Sequence, residues 1–343
     1  MPLPQRILVI RLSAMGDIAM CVPVLLALKR EYPSVEIVAL SRKRFRSILE
    51  RISGITFIEA DVAGLHKGIS GLLKLSKEIK ALKIDAVADF HNLLRSKILR
   101  AFLKGVPKAK IDKGRADKKK LVNDPTFFQP LKQSTERYAD VLRDLGFNIK
   151  LKGTEFLPKQ TVLPQIQDKI GLNSSKWVGF APFAAHDTKA ITLEKATVIV
   201  KEIARIDQVT LLLFGGEKKE IAQLNDLAGP YKNVINLAGT TDFKNELTVI
   251  SNLDAMIAMD SGNGHLAALY GVPVITLWGN THPHAGFAPY AQPPENQLTA
   301  NRDQFPLIPT SIFGNKIIAG YENVTDTIEI KAVIERLKVV LDS

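Results

Sequence analysis

The chain predicts an α/β protein made of two doubly wound parallel-sheet domains. Apolar runs alternate with amphipathic helical stretches through both halves, the pattern of a parallel sheet with crossover helices. Residues 6–33 run from a strand through a glycine turn into a helix, and residues 255–278 run strand, glycine turn, helix, strand. The polar, proline-containing segment LPKQTVLPQIQDK, 157–169, separates the halves, so domains are expected over 1–160 and 161–343.

In the first half ILVIRL, VEIVALS, TFIEAD, AVADF and KAKID read as strands or short extended pieces, with PVLLALKRE, SGLLKLSKEIKAL and SKILRAFLK as helices between them. In the second, WVGFAPF, VTLLLFGG, VINLAG, AMIAMD and VITLWG are strands, and TLEKATVIVKEIARI and KKEIAQLNDLAG intervene as helices. Asp260 to Gly264 reads as a turn and His265 to Tyr270 as the start of a helix, stopped by Gly271 and Pro273. The stretch DTIEIKAVIERLKVVLDS predicts a closing helix. No short internal repeat is present.

At 343 residues, 46% hydrophobic and 24% charged, the chain can bury two cores of ordinary size. No apolar stretch approaches the ~18 residues of a membrane-spanning helix. The opening MPLPQRILVI lacks the basic and apolar regions of a signal peptide, so a cytoplasmic protein is expected. The single cysteine, Cys21, excludes disulfides within the chain and reads as a small buried apolar residue. Among six histidines only His282 and His284 are close, without a cysteine or carboxylate at metal-ligand spacing, so no metal site is predicted.

The net charge of +11 is unevenly placed: residues 1–160 carry 31 Lys and Arg against 16 Asp and Glu, and 161–343 carry 15 against 19. KAKIDKGRADKKK, 108–120, reads as an exposed, mobile basic loop. A basic half suits an anionic partner, either a phosphorylated lipid or a membrane face. Nucleic acid is not expected, because no zinc-finger, RNA-recognition or helix-turn-helix pattern accompanies the charge.

Two segments carry the chemistry. In RLSAMGDIAMCVPVLLALK only Gly16 of a dinucleotide fingerprint is present, which argues against a nicotinamide or flavin enzyme. Asp17 follows at the carboxyl end of the first strand, where open α/β sheets bind ligands; it either serves a ligand there or caps the helix. In MDSGNGHLAALYGVP, Gly262 and Gly264 let a pyrophosphate approach the bare amides at the helix start. Asp260 either accepts hydrogen bonds from sugar hydroxyls or caps that helix.

Those two motifs, with DFHNLLRS (89–96), FAPFAAHDTK (180–189), the GGE-containing residues 211–220 and the sequel WGNTHP, resemble bacterial glycosyltransferase family 9, the ADP-heptose:lipopolysaccharide heptosyltransferases, over nearly the full length. The resemblance implies a GT-B fold, two Rossmann-like domains facing a central cleft, and an inverting transfer without a metal or other cofactor. It implies that Asp17 is the catalytic base and that Lys189 stabilises the leaving nucleoside diphosphate. Thr188 and the segment Ser261, Gly262, Asn263, Gly264 and His265 would assist on the donor side, with Asp260 on the donor sugar. Arg11, His91, Asn92 and Arg95 would meet an anionic lipopolysaccharide-type acceptor, with peripheral contact at the cytoplasmic face of the inner membrane. For Arg95 and Lys97 an ordinary helix surface is the alternative.

Asn263, the sequence TKAIT after the lysine, and NTHPHAGF depart from the family pattern, which leaves another donor sugar or surface-glycan acceptor open. The rival readings are a nucleotide-sugar epimerase, which would share the diphosphate site and act without an acceptor, and a non-catalytic binding protein, against which Asp17, Lys189 and Asp260 argue.

Overall fold

The computed structural model describes residues 2–171, 176–316 and 318–342. The chain forms two compact units, Met1–Lys113 with Ser134–Leu157, and Gly114–Gln133 with Pro158–Ser343.

The sheet of the first unit contains β1 (Arg6–Ile10), β2 (Glu36–Ser41), β3 (Ile55–Glu59), β4 (Ala86–Asp89) and β5 (Lys108–Lys110), all parallel, in the order β3-β2-β1-β4-β5. β1 lies at its centre, Ile7 opposite both Ile37 and Ala86. Helices cover both faces of a parallel sheet, so its strands are continuously apolar instead of alternating, and Ile7 to Ile10 are all buried. Leu8, Ile10, Val38, Leu40 and Val87 pack with Leu72, Leu75 and Ile79 of the helix Gly68–Ala81 and Leu99 of the helix Leu94–Phe102.

The second unit carries β6 (Lys176–Ala181), β7 (Val209–Leu213), β8 (Val234–Asn236), β9 (Ala255–Met259), β10 (Val274–Trp278) and β11 (Gln297–Thr299), parallel, in the order β11-β10-β9-β6-β7-β8. Each sheet is wound outward in both directions from its first strand. The crossovers therefore diverge between β1 and β4 in one unit and between β6 and β9 in the other, and such switch points open crevices at the carboxyl ends of their strands. The terminal helix Ile330–Leu341 buries Val333, Leu337 and Val340 in the second core.

The basic segment 108–120 differs from the expected mobile loop. Its first residues form edge strand β5, Gly114 turns the chain at φ +58°, and Arg115–Asn123 is a helix. Residues 114–133, which the sequence assigned to the first domain, pack with the second unit. Leu121 and Leu131 bury there with Ala285, Leu131 N–H donates to the His284 carbonyl at 2.8 Å, and the Lys118 ammonium lies 3.8 Å from the Phe287 ring centroid. The cationic composition concealed a helix whose apolar contacts come mostly from the residues after it. The helix after β9 also begins earlier than expected, at Gly262, so Gly262 to Gly264 form its first turn. Among the described residues no helix is long and apolar enough to cross a membrane.

Candidate functional site

In the first unit, Arg11 and Asp17 follow β1, and the 89–92 turn follows β4, its neighbour across the switch point. Asp17 is the third residue of the helix Met15–Glu31, and its carboxylate accepts the Ala14 N–H at 3.2 Å. It does more than cap. It also accepts the Tyr138 hydroxyl at 3.2 Å and forms an ion pair with the Arg11 guanidinium. Arg11 is buried and aimed by its own donations, from Nε to the Ser13 carbonyl at 2.6 Å and from an Nη to the Phe90 carbonyl at 2.7 Å. Its remaining donors point at Asp17, so its place in the structure is a clamp on that carboxylate rather than the open acceptor contact expected from the sequence.

Tyr138, from the helix Ser134–Asp144, stacks on Phe90 with ring centroids 4.9 Å apart. Burial, reinforced by the Asp17 charge, raises its pKa, so its hydroxyl remains a neutral donor. Burial likewise raises the Cys21 thiol, which donates to the Asp17 carbonyl at 3.1 Å and carries no nucleophilic character. The apolar reading of Cys21 thus agrees with its buried position.

The second strand end is organised by Asp89, fully buried, which accepts the His91 N–H at 2.9 Å and the Asn92 N–H at 2.8 Å and lies 2.8 Å from Arg100 Nε. Asn92, at φ +42°, donates its side-chain amide to the Ile111 carbonyl at 2.9 Å, so that amide group serves the turn. His91 has a buried Nδ1 without a partner. Its pKa falls to about 4, through burial and then repulsion from Arg11 and Lys113, which leaves it a neutral imidazole at pH 7. Arg95 and Lys97 are exposed, and Arg95 lines a groove of about 620 Å³ with Ser13, Arg42, His91, Ile69 and Leu94.

In the second unit, Lys189 lies in the 3₁₀ turn Asp187–Lys189 after β6, and Asp260 directly follows β9. They meet at 3.1 Å, both largely shielded from solvent, and Thr281 Oγ1 donates to the same Asp260 oxygen at 2.8 Å. The N-cap of the next helix is Ser261, so Asp260 is not its cap. Ser261 Oγ is buried without a hydrogen-bond partner, and His265 is buried one turn on. Thr188 donates its hydroxyl to the Gly314 carbonyl. A Cβ at Gly314 would fall 2.4 Å from Lys189 Cγ, and its φ of +74° also favours glycine, so this loop lies directly against the Lys189 stem. At Gly264 an added Cβ would lie 3.3 Å from Val274, which sets how closely this helix approaches the sheet.

The residues NTHPHAGF act in part as a receptor for segment 114–133: the rings of His282 and His284 pack against Phe128, and Arg302 lies 3.3 Å from the Phe128 centroid. Burial, with His284 and Arg302 nearby, lowers the His282 pKa to about 3, so its ring packs there as a neutral imidazole. Among the described residues no group of three His, Cys, Asp or Glu side chains is arranged to hold a metal. Sequence reasoning missed Tyr138 and Gly314, each supplied by a segment with no motif of its own, and gave no role to Thr281 within WGNTHP.

Each unit therefore presents polar side chains at its switch point, a clamped carboxylate in the first and a lysine–aspartate–threonine cluster beside a glycine-rich helix start in the second. The sequence matches Glycosyltransferase family 9 (heptosyltransferase) over residues 72–306. It is 23% identical to the lipopolysaccharide core heptosyltransferase OpsX of Haemophilus influenzae, covering 82% of this chain and 80% of that one. In structure it resembles the glycosyl transferase family 9 protein of Veillonella parvula, TM-score 0.77 at 18% identity, covering 99% and 98% of the two chains. It also resembles E. coli heptosyltransferase WaaC with ADP, TM-score 0.71 at 17% identity, covering 98% and 99%. The two parallel-sheet units have the GT-B fold of those heptosyltransferase structures, and with the profile spanning more than half its length the chain belongs to glycosyltransferase family 9 and is a glycosyltransferase.

Proposed function

We propose that this enzyme transfers a heptosyl group from ADP-heptose to the inner core of a lipopolysaccharide, inverting the anomeric configuration without a metal. The observation that carries the reading is the second-unit cluster, in which Lys189, Asp260 and Thr281 converge beside the first turn of Gly262–Ala268. An ammonium, a carboxylate and unpaired helix amides are complementary to a sugar diphosphate: the cation and amides suit phosphate oxygens and the carboxylate suits sugar hydroxyls. Ser261, Asn263 and His265 flank this start, and Thr188 holds the Gly314 loop against Lys189.

In this mechanism Asp17 takes the proton of the acceptor hydroxyl as that oxygen attacks the anomeric carbon. The bond between that carbon and the β-phosphate oxygen breaks in the same step, its electron pair leaves with ADP, and one displacement inverts the centre. Lys189 meets the negative charge developing on the leaving diphosphate, so no cation is needed for that task. Arg11 and Tyr138 hold Asp17 in place, and His91 and Arg95 contact the anionic acceptor, while Asn92, expected there from the sequence, shapes the turn that carries them. Because that acceptor is lipid-anchored, the enzyme works in peripheral contact with the cytoplasmic face of the inner membrane.

The test is ADP release from ADP-heptose with and without heptose-deficient lipopolysaccharide. The reading predicts release that requires the acceptor and is lost in Asp17→Ala. Tight ADP binding without release under either condition would overturn this donor–acceptor pair and direct attention to other nucleotide sugars.

A further inference from the structure

The first unit gathers its exposed apolar side chains in one place. Among the described residues, every large hydrophobic side chain that this unit exposes belongs to Leu65, Ile69, Leu73, Leu93 or Leu94, with Leu94 72%, Ile69 66% and Leu65 55% exposed. Ile69, Leu93 and Leu94 line the groove described above, and Leu73 lies one turn beyond Ile69 on the same face of the helix Gly68–Ala81. Isolated exposed leucines are ordinary, whereas a contiguous patch marks an interaction surface.

The patch is rigidly presented. Leu65 sits on a turn in which the Asp61 carboxylate accepts the Gly64 and Leu65 amides at 2.9 and 2.8 Å. His66 N–H donates to the Asp61 carbonyl at 2.7 Å, and the His66 ring accepts the Asp61 N–H at 3.1 Å. A Cβ on Gly71 would fall 2.3 Å from the His66 carbonyl carbon, so the helix start is packed directly against this turn. Two of the acids nearby are committed, Asp61 to amides and Glu78 to His66 at 3.3 Å.

The surroundings are cationic. Arg42 lines the groove with Arg95, its Nε is buried without a partner, and burial followed by repulsion from Arg44 and Arg95 lowers its pKa. Lys67, Lys77, Lys80 and Lys97 are exposed on the same elements. Protein interfaces favour aromatic anchors and are poor in lysine, whereas exposed aliphatics ringed by Lys and Arg suit the boundary between anionic headgroups and acyl chains.

We infer that this surface docks the enzyme on an anionic phospholipid bilayer, with Leu65, Ile69, Leu73, Leu93 and Leu94 entering the acyl boundary and Arg42 and Arg44 meeting headgroup phosphates. The inference rests on the membrane contact proposed above and assigns it a surface and a lipid chemistry. Co-sedimentation with phosphatidylglycerol/phosphatidylcholine vesicles, compared with phosphatidylcholine alone, tests it without requiring turnover.

Wild type is expected to sediment with the anionic vesicles, and Leu65→Ser/Ile69→Ser/Leu73→Ser to lose at least about tenfold in partitioning, because each side chain forfeits apolar burial. Arg42→Gln should reduce the preference for phosphatidylglycerol. The variant Ile69→Trp should keep binding and report insertion by a blue shift of the new indole emission, a result that does not depend on a loss of function. If the transferase reading holds, Leu65→Ser/Leu73→Ser, which leaves the lining of the groove around His91 and Arg95 intact, should retain the wild-type rate on a deacylated, water-soluble core and lose rate on vesicle-borne acceptor. Inactivity of wild type on every acceptor, with vesicle binding still lost in the triple variant, would overturn the transferase reading and leave the docking surface standing. Equal sedimentation of wild type and triple variant, an unshifted indole, or a patch that governs self-association instead of vesicle binding would overturn the inference.

Discussion

Asp17 is held by three donors, Arg11 and Ala14 from its own strand–helix connection and Tyr138 from a distant helix, and that arrangement separates chemistry from stability. Asp17→Asn is expected to lower kcat by about 10²–10⁴, the usual worth of a positioned base. It also leaves the buried Arg11 without its counter-charge, which costs about 2 kcal/mol measurable as a lower urea midpoint. Affinity for ADP, measured by calorimetry, should be unchanged, and a weakened affinity would contradict the assignment of Asp17 to the acceptor side. Gly314→Ala should act on the donor instead, displacing the Lys189 stem and raising the donor KM on the order of tenfold, with kcat/KM on varied ADP-heptose as the check. Burial raises the Glu246 carboxyl to about 7. A raised folded pKa contributes stability below the unfolded value near 4.5 that is lost as pH rises through about 7, so Glu246→Gln should stabilise the protein by about 2 kcal/mol at pH 8 and by little at pH 4. Asp17 and Asp260 stood out in the sequence because each follows a predicted strand at a recognisable turn, whereas Lys189 stood out only through the family resemblance of FAPFAAHDTK. Tyr138 was not, since it meets Asp17 across 121 positions, nor was Gly314, which meets Thr188 across 126. Such pairings exist only once the sheets have formed.

Among the elements, the buried parallel strands were the easiest to read, because both faces are covered and apolar runs such as VTLLL and AMIAM follow. Short or polar elements were harder: β11 has three half-buried residues, and the helix Phe243–Ile250 is eight residues long with Lys244, Asn245 and Glu246 in succession. The segment 108–120 reads as a mobile loop because its lysines dominate its composition, whereas Leu121, Phe128 and Leu131, just beyond it, supply the anchoring. Phe128→Ala should therefore cost about 2 kcal/mol by removing ring contacts with His282, His284 and Arg302. Limited trypsin digestion provides the check: the variant should be cut within residues 114–123 faster than wild type, and equal rates would show that the segment is held by other contacts.

For the whole molecule, one topological rule used twice accounts for the arrangement of function: both sheets diverge from a central strand, and each places its polar cluster at that divergence. The charge asymmetry has a counterpart in chemistry, the strongly basic N-terminal half being assigned the anionic acceptor and lipid surface and the C-terminal half the nucleotide sugar. The central claim is that the enzyme joins the two, moving a heptosyl group onto a lipopolysaccharide core with Asp17 as base. Its most direct test is the mass of a heptose-deficient lipopolysaccharide after incubation with ADP-heptose and either wild type or Asp17→Asn. The account predicts a gain of one heptosyl residue with wild type and an unchanged acceptor with the variant. An unchanged acceptor with wild type accompanied by an epimerised donor would contradict it and identify a nucleotide-sugar epimerase.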